Sequence, residues 1–150
     1  IGSIKYAELS KNRTTDYIFD WEQMLSFDGN TAPYLMYAYT RIRGILNNST
    51  APTDRNENRF ILNDINEIRL ALKIAQFTES VEAVIEDYCP NLLCNYLFEL
   101  AQIFMTFYEN CPVNSSEQAI RESRVHLCEL AGRVLKKGLE LLGIEVLERM

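Results

Sequence analysis

Residues 92–111 read "LLCNYLFELAQIFMTFYENC", and the fold class turns on them. Leu93, Leu97, Leu100, Phe104 and Phe107 recur every three or four positions, the spacing that places side chains on one face of an α-helix. Cys89-Pro90 breaks whatever precedes the run, Asn91 caps it, and Cys111-Pro112 ends it. A proline costs little where a helix begins and cannot continue one that is ending.

The same period extends in both directions. Toward the C-terminus, Ser115 or Ser116 with Glu117 and Gln118 close behind is a capping-box-like start. Leu127, Leu130, Ala131, Val134, Leu141 and Leu142 then form the expected buried face of the last helix, which Gly143 stops. Toward the N-terminus, Thr78 or Ser80 opens a helix carrying Val81, Val84, Ile85 and Tyr88. Asp64 caps another, in which Ile65, Ile68, Leu72 and Ala75 repeat at helical spacing. "NNSTAPTDRNENRF", from Asn47 to Phe60, is a long polar loop.

Ahead of that loop, Asn30 or Thr31 caps a helix with Pro33 in its first turn and an end near Asn47. Leu35, Ala38, Ile42 and Ile45 make its core stripe. "WEQMLSF" reads as a brief helix ending at Asp28-Gly29, and "DYIFDW" alternates like a short strand. Ile4, Ala7 and Leu9 lie in a short opening segment that Asn12–Thr15 breaks. There is no internal repeat. The expected architecture is all-α, a bundle of about five helices whose short breaks favour antiparallel neighbours.

The chain has 150 residues, 47% of them hydrophobic and 24% charged, as in an ordinary globular domain. No apolar run approaches the ~20 residues a membrane-spanning helix needs, so no membrane partner is expected. Ile1–Ser10 lacks the basic start and apolar core of a signal peptide. An opening without methionine is what a piece of a longer polypeptide would have. With 15 basic against 21 acidic residues, the net charge is −6. That excludes a broad basic surface for non-specific polyanion binding, DNA included, and leaves room for a local cluster of cations.

Four cysteines, Cys89, Cys94, Cys111 and Cys128, are expected reduced in a cytoplasmic protein. No Cys-x-x-Cys occurs, and His126 alone could help hold zinc, so no metal is expected. Cys128 lies two positions from His126, which on a helix does not bring them face to face. Glu79, Glu82, Glu86 and Asp87 read as a solvated face, and no glycine-rich phosphate loop exists. No residue set here suggests a catalytic centre.

The helix after Pro33 is unusual in its margins. Tyr37 and Arg41 are four apart on one flank of the core stripe, and Tyr39 and Arg43 four apart on the other. Rings and guanidinium planes stack on the bases of single-stranded RNA, and arginine also meets phosphates. Tyrosine and arginine at a core margin also bury their stems and wet their tips, so residue type leaves both readings open. A second cluster, Arg121, Arg124, Arg133, Lys136, Lys137 and Arg149, makes the last part of the chain locally positive. It fits phosphate contact, and Lys136 and Lys137 fit equally the negative end of a helix dipole.

Three segments carry a resemblance. "DYIFDWEQMLSFDGNTAPYLMYAYTRIRGIL", "LCNYLFELAQIFMTFYENCPV" and "SRVHLCELAGRVLKKGLELLGIEVLERM" resemble, in that order, the C-terminal part of the arginyl-tRNA synthetases. The resemblance implies the all-α anticodon-binding fold called DALR, although "CELAGRVL" stands where a literal Asp-Ala-Leu-Arg would be. It implies that residues 1–27 end a connecting region and that 28–150 form the anticodon-binding domain. In that family ATP, with magnesium, is used by an upstream catalytic domain through His-x-Gly-His-type and Lys-Met-Ser-Lys-Ser-type signatures. Neither occurs here, so the chain alone should not join arginine to tRNA.

Arginine codons share a middle G, so arginine tRNAs share a middle anticodon cytosine. The resemblance implies that this base enters a pocket made by Tyr108, Arg41 and Met150, with Val113 as an apolar wall. Tyr37 would meet the neighbouring nucleotide or backbone, and Arg43 and Arg149 complete the expected RNA-binding set. The implied partners are the anticodon loop of tRNA(Arg) and the upstream catalytic domain of the same polypeptide. The other reading is a non-catalytic helical protein-interaction module derived from the same fold.

Overall fold

A computed structural model describes residues 1–49, 60–114 and 117–147. Among them seven helices follow one another: α1 (Gly2–Leu9), α2 (Trp21–Leu25), α3 (Ala32–Asn48), α4 (Ile65–Ala75), α5 (Phe77–Asp87), α6 (Pro90–Asn110) and α7 (Gln118–Leu141). The long helices α3–α7 are the five of the expected bundle, and two short ones precede them. Ser115, Ser116, Arg149, Met150 and most of the polar loop after Asn48 lie outside the described residues.

The helix α6 is the central post. Leu93, Leu97, Leu100, Phe104 and Phe107 are all buried, as their spacing required. Around it α3 packs on α7, α4 on α6 and α7, and α5 on α6. Close approach is built in with glycine: a Cβ at Gly132 would meet Ile42 Cγ2 at 2.9 Å, so α7 crosses α3 there without a side chain between. Gly138 does the same against Leu97 of α6. Leu35, Ala38, Ile42 and Ile45 of α3 all face this interior.

Helix ends obey local chemistry. The Thr31 hydroxyl accepts from Tyr34 N and Pro33 stands in the first turn of α3. Asp64 and Glu67 form a reciprocal capping box on α4. Cys89 rather than Asn91 occupies the N-cap of α6, because Pro90 already provides the pre-set first helical residue. Gly143, at φ 70°, takes the left-handed conformation that ends α7.

Residues 1–27 are not loose. Tyr6 is buried, and its single O–H lies within hydrogen-bond reach of Asn30 Oδ1 (2.5 Å) and the Cys94 carbonyl (3.0 Å). Two sequence expectations fail. Residues 16–21, read as a short strand, form none: 16–20 carry no regular secondary structure, Trp21 opens α2, and Ile18 is 92% exposed. On α4 the stripe Ile65, Ile68, Leu72 and Ala75 faces outward, while Leu70 and Glu67 are buried and Ala71 and Ile74 pack behind them. A carboxylate took a place that periodicity gave to aliphatic residues.

The last helix departs in detail too. Leu127, Ala131 and Leu142 are buried as expected, but Leu141 is exposed and Leu130 and Val134 are half-buried. Leu135, Leu139 and Cys128 take the inner positions instead. Among the four cysteines no disulfide forms. Burial pushes the thiols of Cys94 and Cys128 up to about 12, so both stay protonated and act as small hydrophobes. No helix among the described residues is long and apolar enough to cross a membrane.

Candidate nucleic-acid interface

Two helices meet at one rim. From α3, Arg41 Nε and one terminal nitrogen donate to the Tyr37 hydroxyl at 2.9 and 2.5 Å. The guanidinium carbon lies 4.9 Å from the Tyr37 ring centroid. This is the four-residue stacking that helical geometry requires. From the last turn of α6, Tyr108 comes up beside the same guanidinium, its hydroxyl in contact with Arg41. Hydrogen bonding to Tyr37, and behind it the Tyr108 hydroxyl, holds Arg41 charged above its ordinary range.

The Tyr108 ring is anchored from below. Phe104, one turn earlier on α6 and fully buried, stacks against it with 6.3 Å between centroids and 25° between planes. Tyr108 is 37% exposed, so one side of the ring rests on the core and another meets solvent. Arg41 is exposed and Tyr37 half-buried. The result is two aromatic rings with a cation between them on an open rim, in a chain whose net charge is negative.

The expected residues divide as follows. Tyr37, Arg41 and Tyr108 come together. Val113 lies in the turn after α6 and is 6% exposed, part of the buried apolar core. Arg43 is half-buried and engaged in a contact of its own; two positions from Arg41, it points roughly 200° round the helix. Tyr39, read as a rim residue on that far flank, is buried, because α3 is covered by α1, α6 and α7 on more than one side. Arg149 and Met150 lie outside the described residues.

The cation cluster of α7 does not present one face. Arg133 pairs with Glu129 at 2.5 Å and Lys137 lies 3.9 Å from Glu140, both along the helix surface. Lys136 is exposed and Arg121 half-buried. Arg124, read as a phosphate contact, turns inward: its Nε donates to Glu67 Oε1 at 2.6 Å and another nitrogen to the Pro112 carbonyl at 3.0 Å. Glu67, 1% exposed, also accepts from the backbone N–H groups of Asn63 and Asp64 at 2.8 Å.

This network was invisible to helical periodicity, since its partners stand 57 residues apart. The Asp64-x-x-Glu67 spacing of a capping box was the available signal. His126 is half-buried and its ring meets Phe60 edge-on at 6.4 Å. Among the described residues no group of acidic, cysteine and histidine side chains could hold a metal ion.

Comparison with known proteins bears on the whole chain. Residues 35–150 match the family model of the DALR anticodon binding domain. The arginine–tRNA ligase of Mannheimia succiniciproducens is 52% identical over 151 residues, taking in 100% of this chain and 26% of the relative. That of Haemophilus ducreyi is 51% identical, over 100% of this chain and 27% of the relative. The chain thus spans about a quarter of these relatives' length. Among solved structures, the arginyl-tRNA synthetase of Plasmodium falciparum superposes with a TM-score of 0.90 at 33% identity, covering 99% of this chain and 26% of that one. The Thermus thermophilus enzyme gives 0.87 at 30% identity, again over 99% and 26%.

Proposed function

The chain belongs to the DALR anticodon-binding domain family, and on that premise we propose that it is the anticodon-reading part of an arginyl-tRNA synthetase, recognising the middle cytosine of tRNA(Arg). The observation that carries the reading is the meeting of Tyr37, Arg41 and Tyr108 on one rim, from helices far apart in sequence. A flipped-out cytosine offers a flat ring to stack on Tyr108 and acceptors that the Arg41 fork can meet. Val113 closes the apolar side, and in the family pattern the position of Met150 supplies the remaining cover, with Arg149 in the same RNA-binding set. Tyr37 serves the neighbouring nucleotide or backbone, and Arg43, on the other flank of α3, completes the RNA-binding set. A base that leaves the arginine unpaired is disfavoured by roughly 1–3 kcal/mol.

Residues 1–27 we assign to the connecting region that leads to the catalytic domain; they lie ahead of residues 35–150, which the family match covers. Arginine activation with ATP and magnesium belongs to that upstream domain, and the whole protein works in the cytoplasm. The test is titration of the chain with an arginine tRNA anticodon stem-loop and with the same loop carrying uracil at the middle position. Tighter binding of the cytosine loop is expected; equal binding of both would overturn the assignment. Aminoacylation by the chain alone would overturn the division of labour.

A further inference from the structure

We infer that Glu67 and Arg124 are positioning residues for base recognition, fixing the end of α6 that presents Tyr108 while touching no RNA themselves. The inference rests on the reading of the site just given. Tyr108 lies in the last turn of α6, where carbonyls lack helical partners and the chain is prone to fray. Arg41, its neighbour across the rim, stands on a different helix. A base can be read only if the two keep their spacing to within about 0.5 Å.

The turn after α6 is tied down from one place, the start of α4. The Glu67 carboxylate gathers three N–H donors, from Asn63, Asp64 and Arg124. Arg124 passes the connection on by donating to the Pro112 carbonyl, the peptide immediately before Val113. Beside it the Asp64 carboxylate meets the thiol of Cys111, the residue that caps α6 and whose N–H bonds the Phe107 carbonyl at 2.8 Å. The segment entering α4 is itself fixed by buried Ser123, whose hydroxyl accepts from Ile61 N (2.8 Å) and donates to Ile61 O (3.1 Å). So α7, through Ser123 and Arg124, holds α4, and α4 with Arg124 holds the turn behind Tyr108 and Val113.

The arrangement needs a fork. Arginine can give one nitrogen to Glu67 and another to Pro112 in one plane, whereas a lysine ammonium is a compact point charge without that geometry. Arg124→Lys therefore retains the charge opposite Glu67 and loses the link to the turn. The decisive measurement is the ratio of affinities for the middle-cytosine and middle-uracil stem-loops in wild type and Arg124→Lys, beside the melting temperature of each. A fall in that ratio of roughly fivefold is expected, about the worth of one hydrogen bond made out of place. It should arise from weaker binding of the cytosine loop, with binding of the uracil loop unchanged. The Val113 methyl and Tyr108 ring resonances should broaden in RNA-free Arg124→Lys while those of Leu35 stay sharp.

The double variant Glu67→Gln/Arg124→Met guards against loss of fold, since the glutamine oxygen still accepts from the Asn63 and Asp64 N–H groups, no charge is left buried alone, and the link is deleted. It should show the same fallen ratio. A wild-type ratio in either folded variant, with sharp Val113 and Tyr108 signals, would reduce the pair to a stability element and overturn the proposal. Absence of discrimination in the wild-type chain would instead overturn the reading of the site, and with it this inference. Broadening confined to the variants separates the two failures, because it needs no RNA.

Discussion

Arg41 and Arg124 are the same residue type and met opposite fates. Arg41 sits exposed on α3 between two tyrosine rings, its guanidinium bonded only to hydroxyl groups among the contacts described. Arg124 lies on α7 with its side chain 13% exposed, paired with a carboxylate that is 1% exposed. One cation is left able to meet a ligand; the other is spent on holding the framework. A basic residue is thus not evidence of a nucleic-acid contact until its partner is known.

The contrast can be broken by mutation. Glu67→Leu should have the largest effect, about 3–5 kcal/mol of stability in urea unfolding, because it strands a buried guanidinium and two backbone N–H groups. A loss below about 1 kcal/mol would mean that Arg124 finds water, and the contrast with Arg41 would vanish. Next, Tyr108→Ala should weaken cytosine-loop binding by about 1–3 kcal/mol, the worth of one stacked base. Its melting temperature should change less than that of Glu67→Leu.

Arg41→Met should alter stability by no more than about 0.5 kcal/mol, as befits an exposed side chain. It should nonetheless abolish most of the preference for cytosine over uracil in stem-loop titrations. If instead it destabilises the chain as Glu67→Leu does, Arg41 is structural. The smallest effect concerns acid. The Asn66 N–H holds the Asp64 carboxyl below its usual range, so the folded chain binds fewer protons there than the unfolded one. That stability is present above the ordinary aspartate range and is lost as pH falls through the lowered value. Asp64→Asn should flatten the acid limb of a stability–pH curve measured by urea unfolding, and an unchanged slope would count against it.

Much of this was legible in the sequence. The α6 stripe, the α3 stripe, the Asp64 cap and the Gly143 stop depend on neighbours within one or two turns, and a short window contains them all. Tyr37 with Arg41 was legible for the same reason, since four residues on a helix fix their meeting. Tyr108 beside Arg41 was reached only through family resemblance, because nothing local says that α6 ends where α3 passes. Tyr39 and the outward face of α4 were misread because hydrophobic spacing tells that a face is buried without telling how many neighbours cover the helix.

By itself, then, the sequence determined an all-helical chain, its breaks, its caps and the family it resembles. Backbone geometry and short-range hydrogen bonding repeat every few residues and can be read in order. Only the tertiary structure decided which arginine faces water and which face of α4 turns in. Those choices rest on charge burial, and a buried charge is tolerable only if its counter-charge arrives from elsewhere. For Arg124 that partner lies 57 positions away, and only the packing of α7 against α4 brings it there.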